Sequence, residues 1–445
     1  MIPANPNILE GSGSSGLEER LDRQLRIPGW NQEALAQARV GLCGDDPWLT
    51  GLFVVSAAAL GLQHLTVVAP DLDPHLLEAA RGLNRGFNLA FFPGFFSHFL
   101  LEELFSPCQV LIDLSHHALA NKLLLNLAHQ KQRPLVRSFA FQEKARAGGR
   151  LFTYMPGREW LEIGEIISSR QLPTLKRGDP ILSMVLAGLA LEETKKLILG
   201  EAVTAEVITY ARPLRAQAGL LPGEPLGLEG SKSPPEPTIA VVGAGALGNF
   251  VGLGLAAAGF TRVTFLDPDP VEVTNLNRQI LFWDKVGQPK AKALAERLRE
   301  WFGLPMGYEI TYVHRDSDLS PFSVVFDCTD NFESRIVLSE QCREGGQLLI
   351  SGGTGVTAGQ VVVWLPHRGG PTPAELLGLY ELVEQRQGGV SGRERASCAY
   401  VPEPAVIMTN QIIGGLMVDL LLGVLAGEEP RNLFFDAQRE KMLSD

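Results

Sequence analysis

The sequence predicts an α/β protein of two tandem Rossmann-like domains, each a largely parallel sheet flanked by helices. Three observations predict it. The first is an internal duplication. LSPFSVVFDCTDNFESRIVLSEQ in the second half answers FSPCQVLIDLSHHALANKLLLNL in the first, with Ser320, Pro321 and Asp327 falling on Ser106, Pro107 and Asp113. GQVVVWLP answers GRLFTYMP, and AVVGAG…AAAGFTRVTFLDPD answers GLCGDD…AALGLQHLTVVAPD, in the same order. The second is a strand–helix–strand alternation within the better-preserved copy, which calls for a parallel sheet with helical crossovers. The third is a Pro- and Gly-rich stretch without sustained period at 205–237, which reads as a linker. At about 150 residues per domain, 445 residues leave room for two large domains.

Residues 1–16 are Gly- and Ser-rich and lack the basic start and apolar run of a secretory signal, so they read as a flexible tail with no export expected. Residues 17–204 form the first domain, and 238–445 the second. In the second, TIAVVGAG is a strand, 248–258 a helix and RVTFLD a strand. Leu294, Leu298, Trp301 and Phe302 mark 290–302 as a helix, and YEITYVH, SVVFDC and QLLISG continue as strands. A long loop is expected at 366–403. The apolar stretch 405–427 is broken by Thr409, Asn410, Gln411 and Asp419, which suits a buried helix and not a lipid-facing one.

Composition narrows the function. With 45% hydrophobic and 20% charged residues the chain is no disordered or collagen-like protein, and a net charge of −11 argues against a nucleic-acid binder. Cysteines stand at 43, 108, 328, 342 and 398 with no CxxC pair, so a reducing, cytoplasmic setting fits best.

The chemistry gathers in the second half. GAGALG (243–248) follows a strand and opens a helix, where Gly243, Gly245 and Gly248 let the backbone approach a phosphate. Asp267, at the end of the next strand, is placed to accept ribose hydroxyls. NLNRQ (275–279), GQPKAK with Lys290 and CTDN with Asp330 go beyond what hydride transfer needs. Arg278 and Lys290 to neutralise phosphates and Asp330 to hold Mg²⁺ are what phosphoanhydride chemistry needs.

In GAGALG, LDPDPVEVTNLNRQ, GQPKAK and FDCTDN, order and spacing included, residues 238–440 resemble the ThiF/MoeB/HesA family and the adenylation domains of ubiquitin-activating enzymes. The first half resembles the same family in decayed form, preceded by a helix around LEERLDRQLRIPGWNQEAL. The resemblance implies that ATP and Mg²⁺ are bound, with Asp267 on the ribose, Asn275, Arg278, Gln279 and Lys290 around the phosphates, and Asp330 on magnesium. It also implies that Arg23, with Arg20 beside it, reaches the ATP of the neighbouring half. In the first half the glycine loop has become GDDPWLTG (44–51), Ala69 stands in place of Asp267 and His116 in place of Asp330. That half is expected not to bind ATP, which leaves one complete site in an inactive-plus-active pseudodimer. His116 and His117, with no further ligand nearby in sequence, read as a polar pair.

Four cysteines lie in apolar contexts, whereas Cys398 sits in RERASCAYVPEP before the last large helix, where relatives with a thioester cysteine and no separate cysteine domain carry it. Arg393 and Arg395 would favour its thiolate. The reading is an ATP-dependent enzyme that adenylates the C-terminal glycine of a ubiquitin-like protein and captures it as a thioester on Cys398. A downstream conjugating enzyme is a further expected partner, and nucleic acid and membrane are not expected. SGGTG (351–355), following the fifth strand, would let an extended tail lie along the backbone. The alternatives are a sulfur-carrier adenylyltransferase without a thioester, an NAD-dependent oxidoreductase, and a silent scaffold.

Overall fold

Both halves lay their apolar runs out in the same order. The computed structural model describes residues 15–94, 97–158, 178–215, 236–388, 403–439 and 443–444. In the first half these are α1 (Ser15–Leu25), α2 (Gln32–Gln37), β1 (Arg39–Gly44), α3 (Pro47–Leu60), β2 (His64–Ala69), α4 (Pro74–Leu83), β3 (Asn88–Pro93), α5 (His98–Phe105), β4 (Val110–Leu114), α6 (Ala118–Lys131), β5 (Leu135–Glu143), β6 (Arg146–Tyr154), α7 (Pro180–Leu199) and β7 (Ile208–Pro213). The strands pair as β3-β2-β1-β4-β5-β6-β7, parallel from β3 to β5 and antiparallel beyond.

The second half repeats the order with β8 (Ile239–Val242), α8 (Ala246–Ala257), β9 (Val263–Leu266), α9 (Lys290–Phe302), β10 (Gly307–Glu309), β11 (Val324–Asp327), α10 (Phe332–Gly345), β12 (Leu348–Thr354), β13 (Ala358–Trp364), α11 (Pro373–Leu376), α12 (Leu379–Gly388), α13 (Ile407–Leu425), β14 (Leu433–Asp436) and β15 (Leu443–Ser444). Its sheet runs β10-β9-β8-β11-β12-β13-β14-β15, again parallel to β12 and antiparallel after it. Register matches as well: Val40 pairs with Val110 as Ile239 pairs with Val324.

Four details differ from the sequence expectation. Residues 208–213, assigned to the linker on composition, are the outermost strand of the first sheet, because Ile208 and Tyr210 alternate inward against β6. The strand read in YEITYVH stops at Glu309, since β9 ends at Leu266 and offers no backbone to pair with, and Ile310 and Tyr312 are exposed. Ser351–Thr354 are the last residues of β12, not a segment after it. The loop drawn at 366–403 contains two helices, α11 capped by Thr372 with Glu375, and α12 packed on α10 through Leu379.

Between the sheets lie α7 and α13, packed on one another, with α3 on one flank and α8 on the other. Glycines permit the close approach: a Cβ on Gly188 would fall 2.7 Å from Ile412, and one on Gly415 2.8 Å from Val185. Gln411 Nε2 donates to the Met184 carbonyl at 3.1 Å and its Oε1 accepts from Ser56 at 2.7 Å, so the buried amide is satisfied across the halves. At one end of this layer Tyr210 donates to Asp419 at 2.6 Å, and Arg215 bridges Asp419 and Glu428. A single apolar cluster runs through both halves. Helix α13 is long and apolar enough to cross a membrane, yet 94% of its apolar window is buried in this core.

Candidate nucleotide site

The glycine loop joins β8 to α8. Gly243 holds a φ of +93°, which β-carbon-bearing residues rarely adopt, and a Cβ on Gly248 would sit 2.0 Å from the Gly243 carbonyl oxygen. The turn therefore needs both. Helix α8 starts at Gly245 with no side-chain cap, so the amides of its first turn have no internal acceptor from a cap residue. A Cβ at Gly245 would meet only Gln279 Nε2, at 3.9 Å. An uncapped, positively polarised helix end behind a glycine cradle fits a phosphate.

Asp267, at the end of β9, is 6% exposed and accepts from the Ala244 amide at 2.7 Å and the Asp269 amide at 2.8 Å. Burial pushes its carboxyl up, and Lys290 opposes that shift. Lys290 opens α9; its backbone amide donates to the Asp269 carbonyl at 2.8 Å and its Nζ pairs with the Asp269 carboxylate at 2.9 Å. Asp269 thus ties Asp267 and Lys290 together. The sequence reading passed it over, though its signal was the second carboxylate of Asp-Pro-Asp-Pro.

Asn275 ends a short 3₁₀ turn and accepts from the Glu272 amide at 3.0 Å. Arg278 is buried, with Nη1 donating to the Thr274 carbonyl at 2.8 Å and to Asn277 Oδ1 at 2.7 Å. Gln279 is also buried, and among the described residues its Oε1 has no hydrogen-bond donor. Beyond β11, the Cys328 amide donates to the Val242 carbonyl at 2.9 Å, and the Cys328 carbonyl lies 2.7 Å from where a Gly243 Cβ would be, so the Asp330 turn abuts the glycine loop. Asp330 itself is exposed. Buried Asp327 shapes that turn by accepting from the Thr329 amide at 3.1 Å, the Thr329 hydroxyl at 2.7 Å and the Ser351 hydroxyl at 2.6 Å.

Helix α1 of the first half packs on the 273–275 turn of the second. Arg23 Nη1 donates to the Glu403 carbonyl at 3.2 Å and its backbone carbonyl accepts from the Ala405 amide. Arg20 turns elsewhere: it is 3% exposed, donates to the Ala59 carbonyl at the end of α3, and is lowered by burial to about 10. Cys398, Arg393 and Arg395 lie outside the described residues; the other four cysteines are buried.

The equivalent face of the first sheet is built differently. Asp46 caps α3, its carboxylate accepting from the Trp48 and Leu49 amides at 2.9 and 3.0 Å. His116 is tied to Asp45 through its amide at 2.7 Å and its Nδ1 at 3.0 Å. Its neighbour His117 begins α6 without a side-chain cap, and no group of three metal-ligating side chains occurs among the described residues.

Residues 224–443, which hold the glycine cradle, Asp267 and Lys290, match the ThiF family. Residues 224–443 are a ThiF family domain. The chain is 36% identical over 175 residues to a Zea mays protein named adenylyltransferase and sulfurtransferase MOCS3-1, covering 37% of this chain and 35% of that one. It is 31% identical over 244 residues to the Arabidopsis thaliana adenylyltransferase and sulfurtransferase MOCS3, covering 53% and 49%. The chain thus spans about a third to a half of these relatives. A crystal structure of E. coli MccB with AMPCPP and MccA aligns at 16% identity over 47% of this chain and 62% of that one, with a TM-score of 0.39.

Proposed function

We propose that this chain uses ATP to adenylate the C-terminal glycine of a small ubiquitin-like protein, in a pseudodimer with one nucleotide site per chain, in the cytoplasm. The observation that carries the reading is the uncapped helix α8 behind its glycine cradle, with Asp267 and Lys290 bound to the same Asp269 backbone and side chain. A carboxylate oxygen of the glycine attacks the α-phosphorus, the bond to the β-phosphate oxygen breaks, and pyrophosphate leaves with the electron pair. Lys290 and Arg278 offset the charge on the phosphate oxygens, and Arg23, on the helix that packs against the 273–275 turn, is the third cation. Asp330, exposed at the turn that abuts the glycine loop, would offer magnesium a carboxylate oxygen, and the ion when bound would neutralise phosphate charge. The ThiF domain favours ATP over the dehydrogenase alternative.

Two fates of the adenylate follow. In one, the Cys398 thiolate attacks the adenylate carbonyl and releases AMP, leaving a thioester for a downstream conjugating enzyme. In the other, the carrier receives sulfur and Cys398 has no covalent role; the names of the plant relatives, which join adenylyltransferase to sulfurtransferase, favour keeping it. With ATP and the carrier, Cys398→Ala is expected to retain ATP–pyrophosphate exchange and lose a thiol-sensitive adduct on a non-reducing gel. A wild-type chain that yields thiocarboxylate and no adduct supports the sulfur-carrier route; one without exchange refutes adenylation.

A further inference from the structure

Between the first half and Arg278 runs a chain of buried amides that the nucleotide reading leaves unused. Gln24 and Asn277 are each fully buried. Gln24 Nε2 donates to the Leu60 carbonyl at 2.8 Å and to Gln32 Oε1 at 2.6 Å, while Gln24 Oε1 accepts from Asn277 Nδ2 at 3.2 Å. Asn277 Nδ2 also donates to the Ala405 carbonyl at 3.3 Å, and Asn277 Oδ1 accepts from Arg278 Nη1 at 2.7 Å.

The direction of this chain is fixed at both ends. A backbone carbonyl can only accept and a guanidinium can only donate, so neither amide can flip without setting two donors or two acceptors face to face. A buried amide left unpaired is costly, which holds Arg278 Nη1 toward Asn277. The same Nη1 also donates to the Thr274 carbonyl, which gives the guanidinium a second anchor.

We propose that Gln24 and Asn277 are positioning residues that aim Arg278 at the nucleotide phosphates, so that the first half shapes the phosphate site through an amide relay distinct from Arg23. The proposal rests on the nucleotide site described under Proposed function. It predicts a selective loss: a misaimed Arg278 weakens binding of a triphosphate but not of adenosine, whose contacts lie at the ribose and base. General damage to the fold weakens both.

The test is a double-mutant cycle in the full chain, titrating the non-hydrolysable analogue AMPCPP with Mg²⁺, and adenosine separately, by calorimetry. Gln24→Leu is expected to lower analogue affinity about 5- to 20-fold and adenosine affinity less than about 2-fold, within the range of coupling between residues in one network. Arg278→Ala is expected to lower analogue affinity at least as much. Adding Gln24→Leu to it should then change analogue affinity by less than about 2-fold, because the relay has nothing left to aim. Asn277→Ala, which keeps the bond of Gln24 to Leu60, is expected to reproduce the selective loss should Gln24→Leu fold poorly. Losses that multiply in the double variant, or equal losses for both ligands, overturn the relay. A wild-type chain that binds neither ligand overturns the nucleotide site itself, and is told apart by failing before any variant is made.

Discussion

Helices α3 and α8 start at the same point of two sheets with the same strand order, yet one is capped at its start by a carboxylate and the other by a glycine. Asp46 supplies the first-turn amides of α3 with the negative charge that an anion would bring to α8. The strand-end turns show the same contrast. Asp113 holds the Ser115 amide and hydroxyl at 3.0 and 2.7 Å, just as Asp327 holds those of Thr329. On the far side Asp113 is sealed by Arg137 at 2.5 Å and by Asn121, whereas Asp327 meets the Ser351 hydroxyl from the matching register position. Where Asp330 faces outward, His116 is bound to Asp45. In the first copy these groups are held by one another: Asp46 by the first amides of α3, Asp113 by Arg137 and Asn121, and His116 by Asp45.

The contrast is broken most sharply at the metal position. Asp330→Ala is expected to lower ATP–pyrophosphate exchange by roughly 1,000-fold or more, while His116→Ala changes it by less than about 2-fold. A folded Asp330→Ala protein with near wild-type exchange would erase the difference between the halves. Stability gives the next largest effect, with the sign reversed. Arg137→Ala leaves Asp113 buried without its cation and is expected to cost about 3–5 kcal/mol. Ser351→Ala, which removes one hydroxyl from Asp327, is expected to cost about 1 kcal/mol. Chemical denaturation of both variants measures this, and equal costs would mean that the two turns are built alike. The smallest effect concerns the α3 cap: Asp46→Ala is expected to cost about 0.5–2 kcal/mol. ATP stoichiometry should remain one per chain, since Ala69 still stands where the ribose carboxylate would be; a second site appearing in calorimetry would show that Asp46 alone closed the first half.

Much of this was legible in the residues. The repeated segments showed that both halves carry the same succession of elements, and 290–302 emerged as α9 because its apolar spacing, with Gly303 beyond it, is a local property of the chain. The glycine loop and Asp267 were legible because each depends on a residue type at a fixed offset from one strand. What escaped was set by contacts far apart in sequence. Arg20 and Arg23 stand three positions apart on one helix, yet one turns to Ala59 and the other to Glu403. Strand β7 looked like linker because Pro and Gly around it hide a short inward alternation that matters only against β6. Gln24 carries no pattern of its own and Asn277 was given no role within NLNRQ; their pairing exists only once α1 crosses to the other half.

That crossing layer also bears on how the chain is made. Helix α7 is buried on nearly every side from Pro180 to Lys196, by α3 and β5 of its own half and by α13, which follows much later in the sequence. At about 5–20 residues per second of synthesis, the time between completing Leu199 and completing Leu425 is roughly 10–45 s. Throughout that interval the face of α7 that α13 covers in the finished chain has no partner to cover it.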